Sequence, residues 1–209
     1  MNRFFKTAVL AAALGFCAAA SALEPFAYPA SLLDAPATLS SPRGMELRIG
    51  RDAFELFATP LALVGERTGA LQLREGRGAF ARDYLCLGGT EAGRAMRVWA
   101  VSSESGRLTE AQVEYAEDSD ADGASVCRPL PARSLPIRLG KIGLGMTVDE
   151  VGGFVGKPSY TAADGWSYWF SQRWLRNARG LQELELNWLG VHFTAGRVDR
   201  AFISLVKNP

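Results

Sequence analysis

Histidine is nearly absent from this 209-residue chain: His192 stands alone, beside three cysteines and four methionines. A metal centre of imidazole and thiolate, or a Cys–His nucleophilic pair, has almost no raw material here. Charge of one sign is lacking too. Lys plus Arg number 23 and Asp plus Glu 22, so no basic excess points to nucleic acid. Nor is there an apolar run of the ~20 residues that a membrane-spanning helix needs. What remains is ordinary globular composition, 48% hydrophobic and 22% charged, which excludes disordered and collagen-like chains.

The beginning of the chain has the grammar of an export signal. Arg3 and Lys6 precede an apolar stretch from Ala8 through Phe16, and Ala20-Ser21-Ala22 supplies small residues for a peptidase. Residues 1–22 are therefore read as a signal peptide cleaved before Leu23, and the protein as periplasmic or secreted, with any membrane association not integral. Cys17 invites a lipidated alternative, but Phe16 is bulky where a small residue is expected. The two remaining cysteines, Cys86 and Cys127, make an even count for an oxidising compartment and are expected to form a disulfide.

Punctuation divides the rest. Pro25, Pro29, Pro36 and Pro42 deny residues 23–44 a regular helix, which leaves an extended leader arm. Pro129, Pro131 and Pro136 mark a linker over 129–136 between a first unit, 45–128, and a second, 137–209. The two halves echo each other at an offset of 90 residues. Leu47-Arg48-Ile49-Gly50-Arg51 falls on Ile137-Arg138-Leu139-Gly140-Lys141, and Val101, Gly106, Arg107 and Ala111 fall on Val191, Gly196, Arg197 and Ala201. Two matches at one offset suggest a degenerate tandem repeat.

Each half ends on a hairpin pattern turning at Gly106 or Gly196. In the second half Thr147 and Glu150 form a capping box, Val148, Val151, Phe154 and Val155 make an apolar stripe, and Gly156 and Pro158 stop the helix. Gly165 to Trp174 alternates as a strand, which places Trp166, Tyr168 and Phe170 toward the helix and Trp169 away from it. The first half reads as strands through 71–73, 84–87, 96–101 and 108–115, with a helical portion around 53–64 broken by Pro60. The expected fold class is α+β: two tandem units, each laying short helices on one face of an antiparallel sheet.

Ile142-Gly143-Leu144-Gly145-Met146-Thr147-Val148-Asp149-Glu150-Val151, the Gly156-Lys157-Pro158 stop and Trp166-Ser167-Tyr168 resemble the small outer-membrane lipoproteins of the barrel-assembly machinery. The resemblance covers about 137–206. A tandem pair of such units is similar to the beta-lactamase inhibitor protein fold, and this resemblance implies a sheet that grips another protein and a motif with no catalytic residue.

Other candidates carry less. Asp118, Asp120 and Asp122 mimic the opening of a calcium loop, but Pro129 stands where the bidentate Glu belongs. His192 has no Gly-x-Ser-x-Gly partner sequence and reads as a hydrogen-bonded strand residue. Glu183 and Glu185 share a strand face, as the carboxylates of any acidic strand do. The aromatics are more telling, because Trp and Tyr anchors dominate protein interfaces. Trp169, Trp174, Trp188 and Trp99, with Arg173 and Arg176 for an acidic partner, form the candidate binding surface. The sequence thus points to a non-enzymatic exported module without cofactor or metal. Its expected role is to inhibit or neutralise a secreted or periplasmic enzyme or toxin through its sheet face, and the alternative is a structural or maintenance role in the outer-membrane envelope.

Overall fold

A computed structural model of the chain describes residues 24–34, 45–78, 81–103, 106–116 and 127–208. The apolar leader, Cys17 and the Asp118–Gly123 run lie outside the described residues. The strands are β1 (Glu46–Ile49), β2 (Asp52–Glu55), β3 (Leu73–Glu75), β4 (Arg82–Glu91), β5 (Arg94–Ser102), β6 (Glu110–Tyr115), β7 (Arg128–Pro129), β8 (Ile137–Leu139), β9 (Tyr160–Thr161), β10 (Trp166–Arg176), β11 (Gln182–Thr194) and β12 (Arg197–Asn208), with helices α1 (Leu61–Thr68) and α2 (Val148–Val155). Residues 24–34 run as an extended arm ending in a 3-10 turn, Ala30–Asp34.

Strand accounts for 51% of the described residues, mostly antiparallel sheet, and this overturns the expected α+β class. Local chemistry explains the shift. Residues 53–55, expected within a helix, belong to β2, which pairs with β1. Pro60 does not break a helix there; it is the N-cap residue of α1, in extended conformation, where its missing N–H costs nothing. Two helices of eight residues are then a small part of a large sheet.

The large sheet has nine strands in the order β3-β4-β5-β6-β12-β11-β10-β9, with β7 parallel to β4. A three-stranded sheet, β2-β1-β8, lies over one face. Two-residue turns close the β4–β5 and β11–β12 hairpins. Ala92 and Gly93, and Ala195 and Gly196, take consecutive positive φ of 52°, 78°, 50° and 75°, which matches the twist of the flanking strands.

The halves join through two ladders with the same symmetry. In β1·β8 Arg48 faces Arg138, and in β6·β12 Gln112 faces Phe202. Both central pairs are 90 residues apart, and neighbouring pairs are exchanged about them, as in Leu47 with Leu139 and Ile49 with Ile137. Antiparallel pairing centred on matching positions is the register that a local two-fold relation requires. The proline-rich 129–136 segment sits beside this seam, supplying β7 and a 3-10 turn, Ala132–Ser134.

The sheet is buried on both faces. On the first, Leu85, Val98, Ala111, Leu189 and Ile203 meet Leu47, Ile49, Ile137 and Leu139 from the small sheet, with Leu61, Val64 and Val151 from the helices. On the second, aromatic residues gather: Tyr84 and Trp99 by the cysteines, and Trp166, Tyr168 and Phe202 under the arm. Cys86 and Cys127 are at disulfide distance, with Cα atoms 4.5 Å apart, and tie the segment after residue 126 to β4. The capping box of α2 is complete, the Thr147 hydroxyl accepting from the Glu150 N–H at 3.2 Å while Glu150 accepts from the Thr147 N–H at 2.7 Å. Of the expected α2 stripe only Val151 is buried, and Val148 and Phe154 are exposed.

Candidate functional site

Alternation along β10 sets the site. Its eleven residues pair with β11 without a register break, so Trp166, Tyr168, Phe170, Gln172, Trp174 and Arg176 share one face. The cross-strand partners on that face are His192, Gly190, Trp188, Leu186, Leu184 and Gln182, and β12 continues it with Arg200, Phe202, Ser204 and Val206. Gly190 has a packing reason: a Cβ there would lie 2.2 Å from the Phe202 ring, so only glycine lets that ring settle on the sheet.

The faces are opposite to those expected. Trp169 is 3% exposed on the first face, packed in the core with Val151 of α2, and its Nε1–H donates to the Gly156 carbonyl at the helix end, 3.2 Å away. Trp166, Tyr168 and Phe170 lie on the second face, away from the helix. Trp99 is wholly buried, with Tyr84 edge-on at 5.8 Å. Trp99 and Trp169 are thus buried, not part of an exposed aromatic surface. Trp188 is half-buried against Phe170, ring centroids 4.0 Å apart. Trp174 is 64% exposed, across from Leu184, and Val206, across from Leu186, is 41% exposed. Arg173 points to the other face, where it holds Glu185 at 2.7 Å, while Arg176 is exposed on the same face as Trp174.

The arm covers the neighbouring part of this second face. Phe26 packs against Trp166 and Phe202, and Tyr28 lies 5.0 Å from Phe202. The Gln112 amide donates to the Phe26 carbonyl at 3.1 Å and to Glu110, and the Tyr28 hydroxyl also donates to Glu110. Ser31 donates to Asp164 at 2.8 Å, which leaves Tyr168 to donate to Ser31 at 2.6 Å. Burial pushes the Glu110 carboxyl above its usual range, against the opposing hydrogen bonds of Tyr28 and Gln112. Burial first, and the Glu110 charge second, push the Tyr28 hydroxyl up as well. The Gln112 Oε1 is buried without a hydrogen-bond partner. At the arm's start, a hydrogen bond with Glu75 raises the Glu24 carboxyl, while Arg82 holds Glu75 down.

Among the described residues, His192, Glu183 and Glu185 do not converge on one another. His192 is tied at both nitrogens, Nδ1 to Asp199 at 2.6 Å and Nε2 to the Asp164 carbonyl at 3.0 Å, so neither is free to take a substrate proton. Glu183 and Glu185 share a strand face, but Glu185 is buried in an ion cluster. Burial acts against its charge, yet hydrogen bonds from Arg173 and Asn187, with the Lys207 charge nearby, hold it below the usual carboxylate range. Among the described residues no group of three or more His, Cys, Asp or Glu is placed to hold a metal. A cleft of about 610 Å³ opens between α2 and β9–β10, lined by Val148, Gly152, Pro158, Trp169 and Phe193 with few polar groups.

Of the tryptophans and arginines expected to form a binding surface, Trp174, Trp188 and Arg176 share the second face, beside Leu184, Leu186 and Val206, which the expected set does not include. Their signal was the strand phase of β11 and β12, which a sequence shows only once the hairpin turns are located. No family model, curated protein or solved structure matches this chain. Among the described residues no helix is long and apolar enough to cross a membrane, and the cysteine pair at disulfide distance is consistent with an oxidising compartment.

Proposed function

We propose that the chain is an exported, non-enzymatic module that binds another protein through the second face of its large sheet, and that its role is to inhibit or neutralise a secreted or periplasmic enzyme or toxin. One observation carries the reading. The arm shields Trp166, Tyr168 and Phe202, yet the same face continues past it into an open apolar ladder of Trp174, Leu184, Leu186 and Val206, with Trp188 at its inner margin. A large exposed tryptophan among aliphatic neighbours, rimmed by Arg176, has the composition of a protein-binding core and rim. The matched ladders at the seam support a scaffold duplicated from one unit, in which the open patch belongs to the second copy.

The test is a pull-down with the purified mature chain from the exported fraction of its own cells, followed by titration of the recovered protein. A one-to-one complex that suppresses an activity of the recovered protein is the expected outcome. Catalytic turnover by the purified chain itself would refute the reading. Fractionation with outer-membrane proteins and a barrier defect on deletion would favour the envelope role instead.

A further inference from the structure

We infer that the outer edge of β10, from Gln172 to Arg176, takes up an extended acidic strand of the partner protein by main-chain pairing; this rests on the binding role proposed above and specifies its mode.

Hydrogen-bond parity makes the edge available. The Ala162 N–H donates to the Trp166 carbonyl at 2.8 Å, the Ser159 N–H to the Tyr168 carbonyl at 2.7 Å, and the Phe170 N–H to Ser159 Oγ at 3.2 Å. Even-numbered residues of β10 therefore direct both main-chain groups away from β11. The register with β11 continues unbroken to Arg176 opposite Gln182, so Gln172 and Trp174 keep that direction. The short β9 pairs only with Ser167 and Tyr168, and no described strand lies beside Gln172 to Arg176. An exposed edge of this kind is a template for another strand.

Charge selects the occupant. Arg176 and Arg179 form no ion pair among the described residues, and Arg173 is 63% exposed although it touches Glu185. A second copy of this chain, paired edge to edge, would bring its own arginines alongside these, which costs energy. An acidic strand gains from all three. Main-chain bonds to Gln172 and Trp174 would set its register, and the Trp174 ring would cover its alternate side chains.

The probes are two synthetic seven-residue peptides, one alternating glutamate with valine and one alternating lysine with valine, titrated against the full mature protein at low salt. The acidic peptide is expected to bind with a dissociation constant below about 1 mM, and the lysine peptide roughly tenfold more weakly or worse. Gln172→Pro removes one outward N–H and leaves the β11 ladder intact, because that N–H is not part of it. It should weaken the acidic peptide by about tenfold, as should Arg176→Glu. In the unaltered protein, hydrogen exchange at the Gln172 and Trp174 amides should slow on binding while that at Arg173 does not change; this readout stands even if the proline variant fails to fold. Absence of binding, equal binding of both peptides, or unchanged exchange at Gln172 and Trp174 overturns the inference, as does a dimer in sedimentation that Gln172→Pro dissociates. If peptide binding depends on Trp174 but not on the Gln172 N–H, strand addition fails while the binding role of the face survives.

Discussion

Replacing Glu110 with Gln should stabilise this protein at neutral pH, contrary to the usual direction for a buried residue. Glu110 is buried under the arm with donors from Tyr28 and Gln112 and forms no ion pair among the described residues, and burial raises its pKa above the ordinary 4.5 although the Arg82 charge opposes this. The sign follows from the raised value. The folded state binds the Glu110 proton more tightly than the unfolded chain, so its stabilising contribution is full below about pH 4.5 and is lost as pH rises through the folded pKa. Between pH 4 and pH 7 the unfolded chain gives up this proton more readily than the native state does, so the parent loses stability across that window. Glu110→Gln removes that carboxyl and keeps one acceptor oxygen, which can serve the Gln112 amide while the new N–H turns to the Tyr28 oxygen. Relieving a buried carboxyl of its desolvation amounts to roughly 1 to 3 kcal/mol. For a chain of this length that is a rise in melting temperature of several degrees, at about 2 to 4 °C per kcal/mol. Thermal unfolding of both proteins at pH 7 and pH 4 is the assay. A gain at pH 7 that vanishes at pH 4 is expected. A variant less stable at pH 7, or a difference equal at the two pH values, would show that Glu110 is not held as a strained charge under the arm.

Other substitutions test other parts of the account. Serine at both Cys86 and Cys127, which are 41 residues apart, should cost about 4 kcal/mol in chemical denaturation, and reductant should mimic the loss in the parent protein. Thr147→Ala removes the cap of α2 and should cost about 1 kcal/mol, measured in the same way. Trp169→Ala should cost about 3 to 5 kcal/mol because it empties a core site, so any binding defect it shows would report unfolding.

Strand phase was legible and face assignment was not, for a reason visible in β10. Trp166-Ser167-Tyr168-Trp169-Phe170-Ser171 carries large apolar residues at both parities, because helix and small sheet cover one face and the arm covers the other. Alternation identifies a face only when one side is polar. The clue lay in Phe26 and Tyr28, aromatics in a proline-rich arm that had to be buried somewhere, and they lie on Phe202. The capping box of α2 was readable because its signal is confined to four residues. The helix expected over 53–64 begins only at Leu61, because Pro60 marks a helix start and not a break. The 90-residue echo located Leu47–Ile49 and Ile137–Leu139 as equivalents, but their pairing with each other is a long-range choice that local pattern does not encode.

The central claim is that the open part of the second face is where this protein holds its partner, and the affinity of Trp174→Ala for the recovered partner tests it most directly. The side chain is largely exposed in the free protein, so its loss should leave stability within about 0.5 kcal/mol of the parent. A buried tryptophan anchor is worth upward of about 2 kcal/mol, so the account predicts roughly thirtyfold weaker binding by a variant that melts at the parent temperature. Parental affinity in a folded Trp174→Ala protein would contradict it.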